Sequence, residues 1–289
     1  MIANKQIWLP KGLPCVASMG TSTYDLVKWR SLPEKKRVLI LNLMPMKQET
    51  EQDLVHTLAA CDAELQVIFI KIKGQRYKTT PQSHMEAFYL DFEQVEPYLF
   101  ERMIITGAPL EQMSFEQVRY WPQLQHIMHW ADIHVERTLY ICWGAQAGLY
   151  EHYGIQKFPL AEKMFGIYVQ DVLEPDNVLM CNLAPKFKMP NSRHTEVRMA
   201  DILAHKAEGL HLLALSDESG VGVAATRDGR RTFIVGHLEY NPYTLHNEYW
   251  RDLGKHLPIH EPQHYYDENG HVIYSWQRDA IQFYKNWLG

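Results

Sequence analysis

The sequence predicts an α/β fold, a doubly wound, mostly parallel sheet with helices on both faces and an added β-hairpin. Near-continuous apolar runs of strand length, at residues 37–43, 65–72, 103–106 and 138–142, are the mark of strands buried on both faces. These runs alternate with helix-like stretches, so crossover connections must carry the chain back and make neighbouring strands parallel. Late in the chain, Arg227-Asp-Gly-Arg230 separates two short β runs, 221–226 and 232–235, a tight-turn signal for an antiparallel pair.

Taken in order, residues 1–36 hold Pro10, Pro14 and Pro33 with little periodicity, which predicts an irregular N-terminal segment lying on the main body. The first strand at 37–43 is followed by a helix at 49–60, where Leu54 and Leu58 are one turn apart. After the strand at 65–72, an aromatic stretch at 86–92 reads as helical. The third strand, 103–106, runs into Gly107-Ala-Pro109, and a helix at 116–130 leads to the strand at 138–142 and a helix at 145–153. The chain closes on a helix capped by Ser275, whose inner face carries Ala280, Tyr284, Trp287 and Leu288. No repeat, low-complexity tract or Gly/Ser linker interrupts the sequence, so residues 37–289 are expected to form a single domain.

Composition narrows the function classes. A 46% hydrophobic content suits a packed core, and a net charge of −5 gives no general attraction to phosphate backbones or anionic lipid, which argues against nucleic-acid or membrane binding. No apolar run reaches the ~18–20 residues needed to span a bilayer, and the first 20 residues lack a signal core, so a cytoplasmic protein is expected. Cys15, Cys61, Cys142 and Cys181 form neither a disulfide framework nor a metal-ligand pair. His126, His129 and Asp132 share a helix without the spacing of a metal motif, so no metal is expected.

Ligands of open α/β sheets bind beyond the carboxyl ends of the strands, and three such ends carry reactive or small residues: 43–47, 106–111 and 141–146. Cys142 stands out. A cysteine between a buried strand and a helix, followed by Gly144, has the pattern of a nucleophile elbow: the turn projects the sulfur, the helix N-terminus favours thiolate, and the Trp143 N–H is available to an oxyanion. A base and a carboxylate that orients it are supplied by His237 and Glu239, two residues apart after a β run and on one side of an extended chain.

These residues also carry a resemblance. Cys142-Trp-Gly-Ala-Gln146 with His237-Leu-Glu239 resembles the Cys-x-Gly-x-Gln and His-x-Glu elements of the class I glutamine amidotransferase-like fold. Leu41-Asn-Leu-Met-Pro45, Thr106-Gly-Ala-Pro109, Cys142 to Tyr150, Lys163-Met-Phe-Gly166 and Ser192-Arg-His-Thr-Glu-Val197 together resemble the homoserine O-acyltransferases of the trans-succinylase type, from about residue 37 to 253. The resemblance implies an acyl-thioester on Cys142, His237 as general base and Glu239 as its orienting carboxylate. It implies substrate binding by Lys163, Ser192 and Arg251, cations and a hydroxyl suited to an amino-acid carboxylate or coenzyme phosphates. Lys47, Gly107, Trp143 and Arg193 fall beside the site as support. No bound cofactor is implied, acetyl-CoA being a co-substrate, and a homodimer is the expected assembly.

In this family the residue after Gly-Ala-Pro-x separates acyl donors, glycine accompanying succinyl and glutamate acetyl; here it is Glu111, whose carboxylate would fill the space of a longer chain and repel its terminal charge. Acetyl-CoA is therefore the expected donor and L-homoserine the expected acceptor, in methionine biosynthesis. The chain departs from the family's usual ends, and L-serine, one methylene shorter, stays open as acceptor, a difference worth only ~1–3 kcal/mol in a pocket. Other classes also fit a Cys-His-Glu set: a glutamine amidotransferase or cysteine hydrolase, or a non-catalytic binding module on the same fold.

Overall fold

The structure is a computed structural model. It describes residues 7–15, 21–32 and 36–289. The main sheet is laid down by β3 (Lys36–Leu41), β4 (Leu65–Lys71), β6 (Phe100–Ile105) and β7 (Val135–Ile141), all parallel. Their connections hold α1 (Lys47–Ala59), α2 (Gln82–Phe88), the short β5 (Tyr89–Asp91) and α3 (Trp121–His134), and α4 (Trp143–Tyr153) follows β7. A long antiparallel pair follows, β8 (Phe158–Val172) with β9 (Lys186–Glu196). Then come α5 (Met199–Ala204), β10 (Leu210–Ser216), β11 (Gly220–Thr226), β12 (Arg231–Ile234), α6 (Thr244–Gly254) and α7 (Gln277–Leu288).

The expected doubly wound α/β architecture is present, and so is the hairpin: β11 and β12 pair antiparallel across the Asp-Gly turn. One continuous sheet runs β2-β1-β4-β3-β6-β7-β12-β11-β10-β8-β9, with β1 (Ile7–Pro10) and β2 (Ser22–Tyr24) at one edge and β5 also on β4. β12 joins its two halves, parallel to β7 and antiparallel to β11. Alternate residues of the buried strands feed two cores. Val38, Ile40, Val67 and Phe69 pack with α1 and α7, while Leu39, Leu41, Ile68 and Ile70 pack with α3 and α4.

Several elements differ from the sequence reading. The N-terminal segment is not wholly irregular, because β1 pairs with β4 and so adds backbone hydrogen bonds at the sheet edge; positions 1–6, 16–20 and 33–35, including Pro33, lie outside the described residues. The stretch at 86–92 divides: helix α2 starts after Pro81, and Tyr89 is extended (φ −118°, ψ 130°) to join β4. α3 begins only at Trp121, with Pro122 in its first turn, where a missing N–H costs nothing. Trp276, not Ser275, caps α7, and the buried Ser275 hydroxyl has no partner among the described residues.

Close approach of α4 to the sheet requires a residue without a side chain. A Cβ on Gly144 would lie 2.6 Å from the Thr106 carbonyl oxygen and 2.8 Å from that of Ile105, both fixed backbone atoms. Gly144→Ala is expected to destabilise the protein by about 1–3 kcal/mol, as overpacking of a rigid site does, measured as a lower midpoint in urea unfolding.

Candidate active site

Cys142 lies between the last residue of β7 and the first of α4, with φ 53° and ψ −117°. A non-glycine residue here costs on the order of 1–3 kcal/mol and marks a functional turn. The turn is fixed from both sides: the Cys142 N–H donates to the Ile234 carbonyl of β12 at 2.7 Å, and the Gln146 N–H returns to the Cys142 carbonyl at 3.1 Å. Gly107, at the end of β6, abuts it so closely that a Cβ there would sit 3.2 Å from the Cys142 Cβ and 3.6 Å from the Trp143 nitrogen. Gln146 ties α4 to β9, accepting from the Thr195 hydroxyl at 2.8 Å. Cys142 is buried but lines a cavity of about 350 Å3.

Three residues beyond β12, His237 lines the same cavity. Its N–H donates to the Pro190 carbonyl of β9 at 2.8 Å, an approach that only a glycine at 236 permits, since a Cβ there would meet that oxygen at 2.6 Å. The chain turns at Leu238 and Glu239 rather than staying extended, yet the His237 Nδ1 and Glu239 Oε1 are 2.6 Å apart, because the turn brings the carboxylate back under the ring. Tyr240 stacks on the imidazole, ring centres 4.0 Å apart at 13°. Burial acts to lower the His237 pKa, but the charges of Glu239 and Cys142 and hydrogen bonds to both outweigh it and hold the pKa well above its ordinary value. The imidazolium form is therefore favoured beside the sulfur. Behind this set, Asp53 of α1 accepts from the Asn241 backbone and the Thr244 hydroxyl, pinning the loop; burial pushes its pKa up to about 7.

The cavity wall carries charges of both signs. Glu248 of α6 accepts at one oxygen from the Lys163 ammonium at 2.7 Å and from the Ser192 hydroxyl at 2.8 Å. Arg251, one turn on, grips Asp252 with two hydrogen bonds of 2.7 and 2.9 Å and has its side chain 41% exposed, so it can still meet a ligand. Such a wall suits a small zwitterion, whose carboxylate the cations attract and whose ammonium Glu248 attracts. Glu111 lies at the rim of the same cavity.

Of the residues singled out from the sequence, Cys142, His237, Lys163, Ser192, Arg251 and Glu111 line this one cavity, with Glu239 directly behind the histidine. Gly107 and Trp143 frame the elbow. Lys47 does not line it; it faces a neighbouring cavity, with its ammonium on the Asn42 carbonyl and its pKa lowered to about 7 by burial. Arg193 is a buried residue of β9, bonded to Asn191, Thr195 and Ser219, and props the strand against the β10–β11 turn. Glu248, His194 and Asp252 escaped the sequence reading. The one signal for Glu248 was its place three residues before Arg251. His126, His129 and Asp132 bind Glu96, Glu151 and Arg231 respectively, and among the described residues no group of His, Cys, Asp and Glu is placed to hold a metal.

A family model described as homoserine O-succinyltransferase matches residues 30–289. Among curated relatives, a homoserine O-acetyltransferase of Bacteroides thetaiotaomicron is 50% identical over 255 residues, 87% of this chain and 83% of that protein. One of Azobacteroides pseudotrichonymphae is 47% identical over 288 residues, 97% of this chain and 91% of that protein. Among solved structures, a glutamine amidotransferase of Thermotoga maritima matches with a TM-score of 0.58 at 11% identity, over 88% of this chain and 97% of that one. One of Methylobacillus flagellatus matches at 0.56 and 12%, over 88% and 93%. At such identities these two support the fold alone.

Glu239→Gln removes the charge that raises the His237 pKa, so the histidine should lose its proton at lower pH than in the unaltered protein. NMR titration of the imidazole resonances checks the direction; an unmoved or raised titration would contradict this electrostatic assignment.

Proposed function

The chain belongs to the homoserine O-succinyltransferase family of acyltransferases, and on that premise we propose that it moves an acetyl group from acetyl-CoA to the hydroxyl of L-homoserine through a thioester on Cys142. The observation that carries the reading is the convergence of Cys142 and His237, backed by Glu239, on one cavity whose wall also holds Glu248, Lys163 and Arg251.

In the first half-reaction the Cys142 sulfur attacks the thioester carbonyl carbon. The bond to the coenzyme sulfur then breaks, and the leaving thiolate takes the proton held by His237. Backbone N–H groups of Trp143 and Gly107 would hold the oxyanion, which the tight contact between these two segments supports. In the second half-reaction His237 accepts the acceptor's hydroxyl proton as that oxygen attacks the acetyl-cysteine carbonyl, and the Cys142 sulfur leaves. Glu239 at Nδ1 keeps the opposite ring nitrogen facing the reaction. Glu248 would take the acceptor's ammonium, and Arg251 with Lys163 its carboxylate. Lys163 and Ser192 hold that carboxylate of Glu248 in place until the acceptor arrives.

The family's description names succinyl and the relatives' names acetyl. Glu111 at the rim supports acetyl, since its carboxylate would oppose the terminal charge of a succinyl group. The same chemistry places the reaction in amino-acid biosynthesis, where an activated hydroxyl amino acid is the product. Among the described residues no helix is long and apolar enough to cross a membrane.

Brief exposure to acetyl-CoA is expected to add one acetyl mass to the Cys142 peptide, and none in Cys142→Ala; with both acceptors offered separately, L-homoserine should release coenzyme thiol faster than L-serine. No adduct, or faster release with L-serine, overturns the corresponding part of the reading. Glu111→Gly should raise the preference for succinyl-CoA over acetyl-CoA by about tenfold or more, or ~1.4 kcal/mol; an unchanged ratio in steady-state kinetics refutes the donor assignment.

A further inference from the structure

A second cavity, about 330 Å3, adjoins that of Cys142 and shares Met44, Pro45, Thr79, Ala108 and Pro109 with it. It lies beyond the carboxyl ends of β3, β4 and β6, where open α/β sheets receive ligands. Four basic side chains line it: Lys47 at the start of α1, Lys71 at the end of β4, and Arg76 and Lys78 on the loop that follows. In a chain of net charge −5 this local excess is not a reflection of composition. Lys71 is engaged by the Met85 and Tyr89 carbonyls and lies 3.7 Å from Asp91. Arg76 and Lys78 are exposed and have no carboxylate partner among the described residues. Tyr77 and Tyr120 add two aromatic rings, and Leu43, Ile72 and Leu110 an apolar floor.

We propose that this cavity binds the nucleotide end of the acyl-coenzyme A donor, with Arg76 and Lys78 on its phosphates and the Tyr77 and Tyr120 side of the pocket receiving the base. The proposal rests on the reading of Cys142 as acyl acceptor. A thioester bound at Cys142 must pass its coenzyme arm out of the reactive cavity, and the shared wall formed by residues 44–45, 79 and 108–109 joins that cavity to the second one. Cations, flat rings and an apolar floor are what an adenine nucleotide with several phosphates requires. A larger cavity of about 920 Å3 opens on the Glu111 side, but Glu111 and Glu162 there offset Lys157 and Lys163, and Lys157 is bound to the Glu111 and Met113 carbonyls, so it offers a polyphosphate no excess of cations.

The test uses the full chain carrying Cys142→Ala, which cannot turn over, and two probes, desulfo-coenzyme A and adenosine 3′,5′-bisphosphate, in titration calorimetry. Both should bind, more weakly as salt rises, because exposed phosphate contacts are screened. Adding Arg76→Glu and Lys78→Glu should weaken both by tenfold or more and flatten the salt dependence. In the enzyme with Cys142 intact, the same pair of substitutions should lower kcat/KM for acetyl-CoA relative to that for S-acetyl-N-acetylcysteamine, which lacks the nucleotide. Binding of both probes unchanged by the charge reversal, or an equal loss with both thioesters, overturns the subsite. Should the unaltered protein acetylate Cys142 from the short thioester yet bind neither probe, the subsite fails while the thioester mechanism stands; failure of Cys142 to accept acetyl from either donor would instead sink the reading beneath it.

Discussion

The site depends on one backbone constraint, the left-handed turn at Cys142. A side chain can occupy that conformation only if its surroundings determine it completely. Here they do: β12 holds the amide, the first turn of α4 holds the carbonyl, and Gly107 and Gly144 allow the neighbouring backbones to close in. Cys142 thereby lines the cavity although it is buried. The glycines are thus as much part of the proposed chemistry as the ionisable groups, since a methyl at either position would displace the turn.

Around that turn, charges are arranged in two layers. His237, Glu239, Tyr240 and Asp53 form a buried set in which burial and charge pairing compete, and pairing prevails at the histidine. Elsewhere on the cavity wall Glu248 gathers donors from β8 and β9, while Arg251 remains partly accessible. The buried layer suits proton transfer and the accessible layer suits recognition, because hydrogen bonds to a ligand must replace those to water or to neighbouring side chains.

How much of this was legible in the sequence follows from how each element is buried. β3, β4, β6 and β7 are covered on both faces and announce themselves as apolar runs, so the parallel sheet and the Cys142 turn at its edge can be read directly. β8 is different: Ala161 and Glu162 are exposed whereas Phe165 and Ile167 are buried, and the mixture conceals the longest strand pair in the protein. Lys163 and Ser192 therefore emerge only through family resemblance. Glu248 sits on a half-exposed helix whose polar residues look like an ordinary solvated face; its partners are far away in sequence, and no local pattern records them. The His237–Glu239 contact was expected from an extended chain and is made by a turn instead, the same spacing serving both geometries.

β7 and β12 lie side by side in register, Ile141 against Ile234, so their pairing brings the residues that follow them together. That intervening chain contains β8, β9 and Lys163 with Ser192. The bond-making groups thus follow two adjacent strands, and the excursion that carries Lys163 and Ser192 touches them at two points, the Pro190 carbonyl on the His237 N–H and Thr195 on Gln146. Away from those two contacts, an excursion of this kind can be lengthened, shortened or rewritten without shifting sulfur against imidazole, which gives the architecture a route to new acceptors that leaves its reactive geometry intact.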